Sequence, residues 1–124
     1  MNPSKERHAT VICLHADKLL FVRKATPEWS LPGGKIEAHE SAEQAARREL
    51  CEETGLVLEH ARFLAHVEIG DEEHHLYRMR VDPADQPRPG GEIVECRWFT
   101  PSELKQVLVK PTNLELLKWN SQAD

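Results

Sequence analysis

Hydrophobic and polar positions along the chain fall into short blocks separated by turn residues. Residues 8–15 (HATVICLH) and 18–24 (KLLFVRK) are apolar and rich in β-branched or bulky side chains, with Ala16-Asp17 between them as a hairpin turn. Apolar residues occupy both faces of the first segment, which predicts a strand covered on two sides. Residues 62–69 (RFLAHVEI) and 74–81 (HHLYRMRV) predict two more strands around Gly70-Asp71, and 93–99 (IVECRWF) a further one. Between them, 82–91 (DPADQPRPGG) has the Pro, Gly and Asp content of a loop. Ser41 with Gln44 forms a capping box that opens a helix, and Gly55 closes it. A second capping box, Thr100 with Glu103, has Pro101 at the first helical position. A last helix is expected from Thr112-Asn113-Leu114-Glu115, with Thr112 or Asn113 as its cap. The order of elements predicts an α/β protein with a mixed, largely antiparallel sheet.

Composition narrows the partners. The 124 residues are enough for one domain, expected to span 1–124, and too few for two. No apolar run approaches the eighteen residues of a membrane helix, and the N-terminus lacks a signal-peptide pattern, so a cytoplasmic protein without membrane partners is expected. Cys13, Cys51 and Cys96 are odd in number and contain no CxxC pair, which argues against a disulfide framework or a structural zinc site. A net charge of −5 argues against polymeric nucleic acid as a partner. Much of that charge is local: between Gly34 and Leu56, three basic residues face six glutamates.

Those glutamates are oddly placed. At 100° per residue, with Glu49 as zero, Glu53 falls at about +40° and Glu52 at about −60°. Ala42, Ala45 and Ala46 fall at about +20°, −40° and +60°, on the same arc. An ordinary amphipathic helix sets its acids opposite its apolar stripe. Here the acids share a face with the smallest side chains, so that face can approach something closely. Carboxylates at 52 and 53 also oppose the helix macrodipole in the last turn. A solvated acidic face is the plain alternative; a divalent cation bridging to a phosphate-bearing substrate is the chemical one.

From Gly34 the chain reads Gly, five residues, Glu40, seven residues, Arg48-Glu49-Leu50, one residue, Glu52-Glu53, one residue, Gly55-Leu56. This resembles the signature of the Nudix hydrolases, the MutT-like family, with every specified position filled. Average residue frequencies put the odds of a chance match in such a chain on the order of 10⁻⁸. The resemblance extends to Trp29-Ser30-Leu31-Pro32-Gly33-Gly34 before the box and to Glu92, Arg97-Trp98-Phe99 and Glu103-Leu104 after it, and covers roughly residues 8 to 119. One departure is His39, where many members carry Gly.

The resemblance implies an α/β/α sandwich that hydrolyses a nucleoside diphosphate linked to another moiety, with Mg2+ or Mn2+ as cofactor. It assigns Glu49, Glu52, Glu53 and the Gly33 carbonyl to the metal, with Glu49 or Glu53 also a candidate general base. Arg48 is implied to orient a box carboxylate, the alternative being an ion pair to Glu52 at i+4. Glu40 is implied to support the metal ligands from behind, or merely to meet the helix dipole. Glu92, beside the 82–91 loop, is a further candidate for metal binding or base catalysis. Arg23, Lys24, Arg78 and Asn113 are candidates for substrate contact, with Arg80 and Arg88 as further cations. If Ile69 pairs with His74, then His66, Glu68, His75 and Tyr77 share a face; Trp29 is expected to pack rather than stack on a base.

Substrate choice in this family lies mainly outside the box. A (deoxy)nucleoside triphosphate is the first expectation, with dinucleoside polyphosphate, ADP-ribose and diphosphoinositol compounds as alternatives. A non-catalytic nucleotide sensor is the alternative of another class. The expected partner is thus a small nucleotide, bound by a monomer or homodimer.

Overall fold

The apolar run near the N-terminus becomes the centre of the molecule. In the computed structural model, which describes residues 5–120, Glu6–His15 form strand β1, and Val11, Ile12 and Cys13 are wholly buried. Strand β2 (Lys18–Arg23) folds back on it through a two-residue turn in which Ala16 has φ 55°, the left-handed conformation such tight hairpins need. Two short strands follow, β3 (Trp29–Ser30) and β4 (Gly33–Lys35), then helix α1 (Ala42–Thr54). Strands β5 (Arg62–Ile69) and β6 (Glu72–Arg80) form a hairpin, and β7 (Glu95–Phe99) precedes helices α2 (Pro101–Leu104) and α3 (Pro111–Leu117).

The sheet runs β3-β2-β1-β6-β5, with β4 also pairing β1 and β7 also pairing β2. Among the described residues five of the strand pairings are antiparallel, and β1 and β6 run parallel over the stretch from Glu6 beside Glu72 to Leu14 beside Arg80. Alternate residues of β1 serve two cores, as the two-sided pattern predicts. Ala9, Val11 and Cys13 meet Ala45, Ala46 and Leu50 of α1. Ile12 and Leu14 meet Phe21, Phe99, Leu104 and Leu116 on the other side. The sheet is therefore sandwiched between α1 and the C-terminal helices.

Local signals decide where α1 begins and ends. Ser41 and Gln44 exchange both bonds of the capping box, and Gly55 at φ 75° donates its N–H to the Cys51 carbonyl. The Thr100–Glu103 box opens α2 in the same way.

Four expectations are corrected. Ile69 pairs with Glu72 rather than His74, because Gly70-Asp71 alone makes the hairpin turn and β6 starts two residues early. The two-residue difference preserves the alternation, so His66 still faces His75 on one side of the sheet. Strand β7 begins at Glu95, not at residue 93. The last helix starts at Pro111 with Lys110 as its N-cap and no side-chain cap bond, so neither Thr112 nor Asn113 caps it. Finally, Pro32-Gly33-Gly34 is more than a turn: Gly33 and Gly34 pair with Thr10 and Ala9 of β1.

Candidate active site

The close approach expected of the acidic, alanine-bearing face of α1 is made to β4. Gly34 lies against the Glu49 side chain so tightly that a Cβ would stand 2.6 Å from its Cδ. Gly33, at φ 154°, could carry no Cβ either, since one would sit 2.4 Å from the Ala9 carbonyl oxygen. The backbone N–H of Gly33 donates to Glu53 Oε1 at 3.0 Å. The glycine pair thus lets two carboxylates of one helix face reach the sheet backbone.

Arg48 is the hub that ties the acids together. Its Nε and Nη2 grip Glu40 Oε2 and Oε1 at 2.7 and 2.8 Å, a bidentate pair. Its Nη1 donates to Glu49 Oε1 at 2.8 Å, and its Nη2 also to the Lys35 carbonyl at 3.1 Å. The i+4 contact to Glu52 is longer, 3.5 Å. Glu40, which also accepts the Glu37 N–H, is held down to about 2, first by its bond to Arg48 and then by that backbone bond. Sequence reasoning missed Lys35 and Glu37 as partners, for backbone groups leave no side-chain signature.

Glu53 is the opposite case. Burial pushes its carboxyl up from 4.5 to about 7, against the Gly33 N–H, which favours the charged form, and with help from Glu49. Burial likewise raises Glu49 despite Arg48. Glu52 is more exposed than Glu49, with side-chain exposures of 56% and 17%. Glu49, Glu52 and Glu53 are hard oxygen donors, the chemistry that suits Mg2+ or Mn2+, but the structure sets them along one helix face without bringing an oxygen of each within 4.8 Å of the other two.

The family model described as the NUDIX domain matches residues 5–120, the whole of the described structure. The chain belongs to the Nudix family. A Bacillus subtilis protein named "Putative 8-oxo-dGTP diphosphatase" is 34% identical over 108 residues, covering 82% of this chain and 70% of that one. Phosphatase NudJ of Escherichia coli K12 is 30% identical over 110 residues, covering 80% and 72%. Among solved structures, the NUDIX domain of Shewanella oneidensis NrtR, crystallised with ADP ribose, superposes with a TM-score of 0.83 at 20% identity, over 98% of this chain and 89% of that one. At that identity the likeness is one of fold. The chain is a Nudix hydrolase, and among its described residues no helix is long and apolar enough to cross a membrane.

Outside the Nudix box the candidates are scattered. Glu92 pairs with Lys24 at 3.4 Å and is largely exposed, and Lys24 lies near enough to favour the charged form of Glu53. The 82–91 loop is fastened to the end of α1: Arg88 N–H donates to the Thr54 carbonyl at 2.8 Å and Gly90 N–H to the Glu53 carbonyl at 3.2 Å. A Cβ on Gly90 would lie 2.3 Å from the Glu52 carbonyl oxygen, a close approach that the sequence shows only as a Gly-Gly pair. Arg23 is committed to Glu95 and the Thr26 carbonyl, over the Trp29 ring. Trp29 is buried against Phe99, as expected of a packing residue. Asn113 Oδ1 accepts the Leu31 N–H at 2.7 Å, tying α3 to the segment before the glycines. Arg78 lines a cleft of about 1010 Å³ with Arg62, Arg80 and Arg88, beside the loop that follows α1; none of the Nudix carboxylates is in its walls. His66 and His75 stack at 4.6 Å between ring centroids, with His66 Nε2 3.1 Å from Glu73.

Proposed function

We propose that this Nudix hydrolase cleaves the diphosphate linkage of a nucleoside diphosphate-X compound, with a (deoxy)nucleoside triphosphate, oxidised or not, as its substrate. The observation that carries the reading is the carboxylate cradle: Glu49 against Gly34, Glu53 on the Gly33 N–H, and Glu40 with Arg48 bracing them. Glu49, Glu52, Glu53 and the Gly33 carbonyl would hold Mg2+ or Mn2+, which when bound neutralises the diphosphate oxygens and acidifies water.

The chain's own residues supply the rest. Arg48 fixes Glu49 and Glu40 in one orientation, so the acids need not reorganise during the reaction. Glu49, fixed by Arg48, and Glu53, tied through Oε1 to the Gly33 N–H, are the two carboxylates that would take a proton from the attacking water. Lys24 offers a cation beside Glu53 for the substrate's phosphates, with Glu92 as its partner until they arrive.

The B. subtilis relative's printed name supports a nucleoside triphosphate. The diphosphoinositol reading is weaker, because the arginines it needs line a cleft apart from the carboxylates. Release of phosphate or pyrophosphate with Mg2+ would be measured across nucleoside triphosphates, dinucleoside polyphosphates, ADP-ribose and diphosphoinositol compounds, with Glu53→Gln as control. A triphosphate turned over fastest, and lost in the control, is the expected result. Turnover of another class instead would overturn the substrate. No turnover, with one nucleotide raising the melting temperature, would make the chain a sensor.

A further inference from the structure

A second group of ligating side chains stands apart from the box. Glu6 and His8 on β1 lie beside Glu72 and His74 on β6, in parallel register. Alternation puts all four on the sheet face that carries Ile12, Leu14 and Leu76, away from α1. His8 Nε2 is 2.7 Å from Glu6 Oε1 and 3.5 Å from Glu72 Oε2. One ligand atom from each of the three residues lies within 4.8 Å of the others.

The fourth residue orients the third. His74 Nε2 is 3.0 Å from the other Glu72 oxygen, Oε1, so its proton belongs on Nε2 and turns Oε2 toward His8. The His74 side chain is only 7% exposed, its ring stacks on His8 at 5.0 Å and 18°, and its Nδ1 is buried without a hydrogen-bond partner among the described residues. A buried, ring-stacked imidazole holding a carboxylate is the outer support commonly found behind a metal ligand. Lys35 neutralises part of the charge by pairing with the remaining Glu6 oxygen at 3.1 Å and leaves Oε1 to His8.

We propose that Glu6, His8 and Glu72 form a binding site for a divalent cation of the Zn2+ class, separate from the Nudix box. One imidazole and two carboxylates suit Zn2+, Co2+ or Ni2+, whereas Mg2+ favours an all-oxygen shell. Metal–ligand bonds of about 2.0–2.2 Å place tetrahedral ligand atoms roughly 3.3–3.6 Å apart. The His8–Glu72 spacing meets this already, and the His8–Glu6 contact opens by less than about 1 Å when the proton between them gives way to the ion. The ion would staple the first residues of β1 to those of β6.

The test uses full-length protein whose box is silenced by Glu49→Gln and Glu53→Gln, titrated with Zn2+ against a chromophoric chelator and with Co2+ by visible absorption. One tight equivalent is expected. Adding His8→Ala or Glu72→Gln should abolish it, while His74→Phe, which keeps the ring stack, should weaken it about 10–100-fold. Equal Zn2+ affinity in the His8→Ala and Glu72→Gln proteins, with folding verified by circular dichroism in chelator, would overturn the proposal. So would displacement of Zn2+ by equimolar Mg2+. If a substitution unfolds the chain, the His8 imidazole resonance of the box-silenced protein decides: a stoichiometric shift with Zn2+ supports the site, and an unmoved resonance refutes it.

Discussion

Replacing Glu53 by Gln should stabilise the metal-free protein while destroying its activity. Gln keeps the Oε1 acceptor for the Gly33 N–H and removes only the charge that burial resists. In the unfolded chain Glu53 titrates near 4.5; in the folded chain it does so near 7. Between those values the folded state binds more protons than the unfolded, so stability falls as pH rises through that window. Below 4.5 both states are protonated and the penalty vanishes; above 7 it is complete. At about 1.4 kcal/mol per pKa unit the full penalty is on the order of 3 kcal/mol, from which burying the Gln amide subtracts a part. A net gain of about 1–3 kcal/mol corresponds to a melting temperature higher by roughly 4–12 °C for a chain of this size. Thermal melts in chelator, from acid to pH 8, would check it. The variant should melt higher at pH 8 and converge with the parent toward pH 4.5. With Mg2+ the order should reverse, because the ion stabilises only a protein that binds it. A variant melting at or below the parent in chelator at pH 8, or a gap independent of pH, would refute the account of Glu53.

Three further outcomes follow from the same geometry. Gly34→Ala drives a methyl into Glu49, and should cost about 1–3 kcal/mol in a denaturant melt and lower metal-dependent turnover at least tenfold, roughly the effect of misplacing a positioned group. Glu40, held down to about 2 by Arg48, supports the fold above its unfolded value of 4.5, and that support is lost as pH falls through about 2; Glu40→Gln should flatten this acid limb of the stability profile. Asn113→Ala leaves the Leu31 N–H without its acceptor and should cost about 1–3 kcal/mol, with faster amide exchange at Leu31 as the specific readout.

What the sequence makes legible is whatever rests on neighbours in the chain. The capping boxes at Ser41 and Thr100, the Gly55 cap and the Ala16-Asp17 hairpin are all local, and each stands where the pattern puts it. The acidic arc is legible too, because a helix wheel needs only sequence spacing. What depends on distant partners is not. Two glycines signal a turn, yet Gly33 and Gly34 join the sheet because β1 supplies hydrogen bonds that no local propensity reveals. The alternation of β5 and β6 gives the face but not the register, and Glu72 and Glu73 at the start of β6 carry no apolar signal. Asn113 is polar at a helix start, which suggests a cap, but its side chain crosses to Leu31. The Glu6–His8–Glu72 group joins residues from opposite ends of the described hairpins and shows only once β1 and β6 are side by side.

The parallel pairing of β1 with β6 also bears on how the enzyme is made. Parallel neighbours need a crossover, and here the crossover contains β2, β3, β4, α1 and β5, hence every residue of the Nudix box. Contacts so far apart in sequence close late, since their loop entropy must be met before they reward the chain. During synthesis a ribosome-bound chain halted before Glu72 would carry the complete signature while β1 still lacked the neighbour it pairs with over most of its length. The box is a contiguous motif, but the sheet its helix packs on is completed only by a strand that follows it in the chain.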